Sequence, residues 1–396
     1  MKKYTAPSLL LMIVLVAFPQ ISETIYTPSL PDISVELGAS NSSVQLTLSI
    51  YFIGFALGVF CWGWISDFIG RRPAMLGGLF VYGIGSLLCF YSESIYLLLA
   101  SRFIQAFGAA TGSVITQTIL RESVSGSKRH AMFAQISAVI AFTPAVGPLI
   151  GGWVDQALGF RAVFFVLVIM SVLLFIYTFF SLSETMDVST RTRVAIFPVA
   201  KRIVSSPRVL IFGLLIGGIN GILFSYYSEA PFIFIEYFHM TPGFYGFLGI
   251  IVAVASIIGA MISKRLLTRL QPESIIHLGC FVMMIGSLLL ALVSILTIMP
   301  NTMLMICMLI TIFIMLLGAS IALPNCLSLA LIDFYDVIGT AGAIFSLGYY
   351  LLVSLVTTGI SLLHNGSLMT MPLYFLVISV LMWGLGKKFI IRREAP

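Results

Sequence analysis

Charge is what this sequence has least of. Only 9% of its 396 residues are Asp, Glu, Lys or Arg against 59% apolar, and the mean hydropathy is +1.09. A chain of that composition has too little polar surface to coat a soluble globule. Cysteine is scarce as well. Cys61, Cys89, Cys280, Cys307 and Cys326 fall singly inside apolar runs, which makes neither a disulfide framework nor a metal site. Histidine is missing from the interior of those runs, since His130, His239, His277 and His364 sit at run ends or in connections. That removes the common base and metal ligand of a membrane-embedded enzyme, so the chain reads as a non-enzyme with no cofactor and no metal. No long polar stretch offers the soluble domain that a membrane sensor or scaffold would want.

What the chain has instead is apolar runs. Twelve are expected as spans, at about 7–26, 44–65, 73–91, 95–120, 131–154, 162–182, 209–235, 244–263, 275–299, 302–323, 337–363 and 372–389. Each is near the ~20 residues that cross a bilayer as a helix, the one open-chain structure that satisfies its own backbone there. The first run follows Lys2 and Lys3 without a small-residue cleavage site, and reads as a retained span.

The basic residues set the orientation. With both termini cytoplasmic, all of the 21 Lys and Arg except Arg102 and Arg161 fall in inner segments. The net charge of +6 therefore reports topology, and no nucleic-acid partner is implied. The connection 183–208 carries basic residues and prolines and splits the runs evenly. The expected fold is an all-α membrane protein of twelve transmembrane helices in two six-helix bundles, 1–182 and 209–396, joined by a cytoplasmic linker. A weak internal echo supports the repeat: Gly259 to Ser263 follows span eight much as Gly63 to Asp67 follows span two.

Apart from Lys387 and Lys388 at the very end of span twelve, three charges lie inside spans: Glu23, Arg102 and Glu229. Each costs ~2.5 to 3.5 kcal/mol on insertion scales, so it needs a partner or a wet cavity. Glu23 and Arg102 fall at depths that could meet, and Glu229 lies about as far along span seven as Glu23 along span one. These three are the proton-coupling candidates, a static Glu23 to Arg102 bridge being the bland alternative.

Between spans two and three the chain reads G-W-I-S-D-F-I-G-R-R, from Gly63 through Asp67 and Gly70 to Arg71 and Arg72. This resembles the signature loop of the major facilitator superfamily. Arg102, Gln105 and Gly108 resemble the superfamily's fourth-span motif. The stretch A-F-T-P-A-V-G-P-L-I-G-G, with Pro144, Gly147, Pro148, Gly151 and Gly152, resembles its antiporter motif in span five. The stretches Y-T-P-S-L-P after span one and Y-Y-S-E-A-P-F-I-F-I-E in span seven are similar to the Bcr/CflA drug-resistance branch of twelve-span drug:proton antiporters. In one respect the chain departs from that branch: Thr24 stands where an aspartate is usual, with Glu23 one residue earlier, about 100° around a helix.

The resemblance implies a multi-pass protein of the cytoplasmic (inner) membrane, a monomer in the lipid bilayer, that exports a small molecule in exchange for protons and is driven by the proton gradient alone. A proton-coupled importer, or an exporter dedicated to one metabolite or siderophore, would use similar parts. Substrate contacts are expected from Tyr26, Tyr51, Gln105, Asn220, Tyr226, Tyr227 and Tyr349. The loop from Asp333 to Thr340 has acids and no base, so Asp333 or Asp336 is expected to pair with Arg71 and Arg72 in a latch between the halves, with Asp67 facing the start of span eleven.

Overall fold

The structure, a computed structural model, describes residues 7–123, 126–185, 196–296 and 298–387. Both termini and Lys2, Lys3, Arg191, Arg193, Lys388, Arg392 and Arg393 lie outside these, as do the side chains of Pro144 and Asp336. Among the described residues every regular element is helical. Ten helices there are long and apolar enough to cross a membrane, and Thr370–Leu385 is a shorter apolar one.

The first half comprises α1 (Leu9–Thr24), α2 (Leu30–Glu36), α3 (Asn41–Ile69), α4 (Arg71–Phe90), α5 (Ile95–Ser123), α6 (Gly126–Leu158) and α7 (Phe160–Ser181). A short amphipathic helix, α8 (Ile196–Val204), precedes the second half. That half comprises α9 (Pro207–Pro231), α10 (Pro242–Gly246), α11 (Leu248–Leu266), α12 (Pro272–Ile295), α13 (Asn301–Ala330), α14 (Ile338–Leu363) and α15 (Thr370–Leu385).

Several helices outrun the hydrophobic limits because their ends are capped by polar groups or bent by proline. Between α1 and α2 a 3₁₀ turn, Thr27–Ser29, contains Pro28, and Pro31 opens α2; neither ring nitrogen has a hydrogen to give the ladder. The helical course therefore continues to Glu36 on a shifted axis. The Ser40 hydroxyl accepts the Ser43 N–H and starts α3 at Asn41. After Pro231 the backbone widens to a π-helical segment, Phe232–Tyr237. Gly70 alone connects α3 to α4 at φ +103, and a Cβ there would strike the Glu184 carboxylate.

Glycine contacts reveal an internal repeat. A Cβ on Gly108 would run into Tyr82 N and the Gly78 carbonyl, and one on Gly318 into Met283 N and the Gly279 carbonyl. Likewise Gly85 abuts Gln105 as Gly286 abuts Met315, and Gly58 abuts Phe107 and Ala110 as Gly259 abuts Leu317 and Ser320. Residues 58, 78, 82 and 85 are each 201 before their counterparts, and 105, 107, 108 and 110 each 210 before theirs. The α3, α4, α5 packing thus recurs in α11, α12, α13, with backbones close enough that only small residues fit. This register sets Gly259 opposite Gly58. The sequence echo that aligned Gly259 with Gly63 is five residues out of step, because packing rather than the charged loop fixes the repeat.

The halves meet through α3 against α14 and α6 against α10 and α11. The hydrogen bonds described between them gather towards one end: Asn41 to Glu236 (3.4 Å), Gln45 to Glu229 (2.5 Å), Ser354 to the Ser49 carbonyl (2.8 Å) and Gly243 N–H to Gln156 (3.0 Å). Asp67 lies 22 residues beyond Gln45 on α3, about 33 Å at ~1.5 Å per residue, so the charged loop Gly63 to Arg72, a knot of charge, is at the opposite end. We call these the joined end and the knot end.

Candidate functional site

Arg102 sits at the centre of the first half with none of its surface exposed. Its guanidinium carbon lies 4.0 Å from the Tyr26 ring centroid and 4.3 Å from that of Tyr51. Two ring quadrupoles thus face one buried cation. One nitrogen, Nη1, donates to Gln105 Oε1 and to the Ser22 carbonyl (3.4 Å), while Nε and Nη2 have no hydrogen-bond partner among the described residues. Gln105 in turn donates from Nε2 to Ser86 (2.8 Å), and the Tyr26 hydroxyl shares a hydrogen bond with Thr47 (3.0 Å). Gln105, Tyr26 and Tyr51 are thereby fixed around the cation.

Glu23, one turn from Pro19, is buried and within electrostatic reach of Arg102, but the hydrogen bonds of Arg102 go elsewhere. Its charge also reaches Tyr51, Tyr227, Tyr349 and Tyr350. Beyond it an aromatic layer crosses between the halves: Phe52 packs on Phe224 (4.4 Å) and Phe55 on Tyr350 (4.9 Å). Of the expected substrate contacts, Tyr226 and Tyr227 are buried in this layer, while Asn220 and Tyr349 keep partial exposure. Asn220 spends its amide on the Ile216 carbonyl of its own helix (2.9 Å).

Glu229 stands in different surroundings. Its carboxylate accepts from Gln45 Nε2 at 2.5 Å and from His364 Nδ1 at 2.9 and 3.0 Å. Sequence reasoning set His364 aside as a loop residue. It follows α14 directly, and the helix carries it back to the depth of Glu229 on α9. Burial alone would lower the His364 pKa, but the hydrogen bond to Glu229, its charge and that of Glu236 outweigh this and raise it. Beside Glu229 itself, a polar Gln45 near the start of an apolar run was the available sequence signal for this cluster.

At the knot end Arg71 is nearly sealed and forks between carboxylates. It donates to Asp67 (2.6 Å), to Glu122 (2.7 and 3.1 Å) and to Ser66 (2.8 Å), while Glu184 accepts the backbone N–H groups of Arg71 and Arg72. Arg72 donates to the Phe179 carbonyl and lies over that ring. These contacts all lie within the first half and the start of the linker, at Glu184, and none reaches the second half. Asp333 is exposed, and its carbonyl takes a hydrogen bond from Arg202 of α8. Glu122 and Glu184, which the sequence reading missed, come from the ends of α5 and α7 and could be paired with Arg71 only through the fold.

The span-five glycines are contact points. A Cβ on Gly147 would strike Thr24 and one on Gly151 the Ile25 carbonyl, both in the first half. Gly152 faces the Pro242 carbonyl, and the Pro148 carbonyl faces Gly246, both across to the second half. The motif therefore seals α6 to α1 and to the α10–α11 region at once.

A repeated helical fold with a buried cation and two buried carboxylates near the boundary of its halves is that of a membrane transporter. The Major Facilitator Superfamily profile matches residues 12–358, and the chain belongs to that family. It is 33% identical over 376 residues, 93% of each chain, to a Rickettsia bellii protein described as an uncharacterized transporter. It is 27% identical over 365 residues to the chloramphenicol resistance protein of Pseudomonas aeruginosa, covering 91% of this chain and 85% of the other. Its fold matches the crystal structure of a D-xylose-proton symporter at a TM-score of 0.74 over 96% of this chain and 97% of that one, at 16% identity. The likeness to drug-resistance transporters drawn from the motifs thus has a counterpart among its relatives.

Proposed function

We propose that this chain is a secondary transporter that exports small lipophilic or drug-like molecules across the cytoplasmic membrane in exchange for protons. The helices α6 and α15, added to the ten apolar ones, complete twelve spans in two bundles, 1–182 and 209–396, with the linker 183–208 and both termini in the cytoplasm. The knot end is then the cytoplasmic end, and the bonds at the joined end close the protein towards the outside.

One observation carries the reading. Glu23 is buried beside the aromatic layer between the halves, near an Arg102 held as a cation by Tyr26 and Tyr51 rather than by a carboxylate. A carboxyl so placed is charged or neutral according to whether water or an apolar ligand is next to it, which is the exchange that antiport needs. Glu229 is the second coupling candidate. When the joined end opens, Arg71 and Arg72 are expected to meet Asp333 or Asp336, with Asp67 against the start of α14, as the cytoplasmic latch. The relative named for chloramphenicol resistance supports a drug-like substrate.

The test is proton release from purified protein in weakly buffered detergent on adding lipophilic cations, neutral antibiotics such as chloramphenicol, or anionic siderophores. Release that disappears in Glu23→Gln supports exchange through Glu23. Proton uptake on binding would make the chain a symporting importer, and binding without any proton change would defeat proton coupling.

A further inference from the structure

A second protonatable cluster lies away from Glu23, at the joined end. A cavity of about 190 Å³ opens between the π-helical segment and residues 364–368, lined in part by Glu229, Glu236 and His364. Exposure falls along these three: Glu236 is exposed, the His364 side chain is 8% exposed and that of Glu229 2%. They form a graded route from solvent to a sealed carboxylate.

The hydrogen-bond geometry fixes what the imidazole can do. Nδ1 lies against both oxygens of Glu229, at 2.9 and 3.0 Å, and facing a carboxylate it is assigned the hydrogen and donates it. Nε2 of the neutral ring then holds a lone pair and can take a proton. The charged groups facing the ring are Glu229 from α9 and Glu236 from the π-helical segment. From α3 it meets the neutral amide of Gln45, 3.2 Å away, and from the π-helical segment the Phe232 ring, 5.2 Å away. Among the described contacts of the ring there is no Lys or Arg.

We propose that Glu229, His364 and Glu236 form a proton-binding site open to the outer side of the membrane, and that an imidazolium there holds α3 against α9 and α14 through Gln45. The direction of proton passage and the outer placement rest on the transporter reading above. A carboxylate as sealed as Glu229 needs a counter-charge to stay ionised out of water. With the imidazolium in place it remains a strong acceptor for Gln45, the bond that ties the halves. Without the proton, the buried charge is relieved by letting water in, which means parting α3 from α9.

The pH sign follows. The His364 pKa is raised in the closed arrangement, so proton binding stabilises closure. That stabilisation is present in acid and is lost as pH rises through the closed-state value. A proton arriving from outside therefore shuts the outer end and favours the arrangement open to the cytoplasm, the order that an antiport cycle requires.

The test uses the full-length protein, free of native cysteines and reconstituted in lipid nanodiscs, with spin labels at Val35→Cys and Leu362→Cys. These sites are 80% and 72% exposed, on α2 and at the end of α14. The short-distance population is expected to dominate near pH 5.5 and to decline towards pH 8.5, through the range where a perturbed histidine titrates. His364→Gln should abolish that pH dependence, and Glu236→Gln should move its midpoint to lower pH. A wild-type distance that ignores pH, or a His364→Gln protein that keeps the wild-type response, overturns the proposal. Should His364→Gln not fold, the Glu236→Gln midpoint decides, and an unchanged midpoint overturns it. Proton release measured with Glu23→Gln separates the two readings: its failure beside a His364-dependent distance change defeats exchange through Glu23 and leaves this site standing.

Discussion

Gln45 and Glu229 are 184 residues apart in sequence and 2.5 Å apart in space, joined across the boundary between the two halves. Their bond is charge-assisted and buried, and its loss would leave the Glu229 carboxylate short of a donor in a dry place. Gln45→Ala is therefore expected to cost the closed arrangement ~1–3 kcal/mol. That corresponds to about a tenfold or greater loss of the closed population at the middle of the range. An unchanged distance between spin labels at positions 35 and 362 in Gln45→Ala would show that this bond does not hold the end shut.

The adjacent glycines of α6 should behave differently. Gly151 meets the Ile25 backbone within its own half, so Gly151→Ala forces α6 away from α1 in every state, at a cost of ~1–3 kcal/mol. A drop in melting temperature is expected. Gly152 meets the Pro242 carbonyl across the boundary, and opening the joined end relieves that clash. Gly152→Ala should therefore melt nearly as the parent does while favouring an open joined end; equal destabilisation by both would show that the two contacts open together.

Arg71 presents a test of shape rather than charge. It engages Glu122 through two nitrogens and reaches Asp67 and Ser66 besides, a set that a lysine ammonium cannot match from one point. The side chains of Asp67 and Glu122 are 63% and 37% exposed, so solvent screening takes most of the Asp67 contribution and part of that of Glu122. Arg71→Lys is expected to lose about 1 kcal/mol, read as a lower melting temperature, with Arg72→Lys closer to the parent.

At Arg102 the rings should matter more than their hydroxyls. The Tyr51 hydroxyl makes one long bond, 3.4 Å to the Pro19 carbonyl, whereas its ring covers the guanidinium. Tyr51→Phe should leave stability and proton release close to wild type. Tyr51→Leu removes the quadrupole and should cost about 2 kcal/mol where the cation is fully desolvated. Thermal melts of the two variants decide between ring and hydroxyl.

Much of this was legible in the sequence because a membrane constrains a chain so severely. Uncharged runs near the length of a bilayer crossing dictate helices, and the few charges within them, Glu23, Arg102 and Glu229, stand out for their cost. The motif glycines at 147, 151 and 152 also announced close packing, and all three meet neighbouring helices. Helix ends were less legible. Caps such as Ser40 and bends such as those at Pro28 and Pro231 extend helices past the apolar limits by local hydrogen bonding that hydropathy does not register.

The sequence by itself determined that the chain is helical and membrane-borne and that Glu23, Arg102 and Glu229 would be buried, because hydrocarbon admits few alternatives. Only the tertiary structure decided the partners. It set Arg102 against two tyrosine rings, gave Arg71 the carboxylate of Glu122, and brought His364 to Glu229. It also set the repeat register by Gly58 and Gly259. The contacts among these join residues from 51 to 135 positions apart, and no local period or propensity carries information over such distances. They follow from which helix faces pack together, and that is settled by the shapes of small residues in contact across the whole bundle.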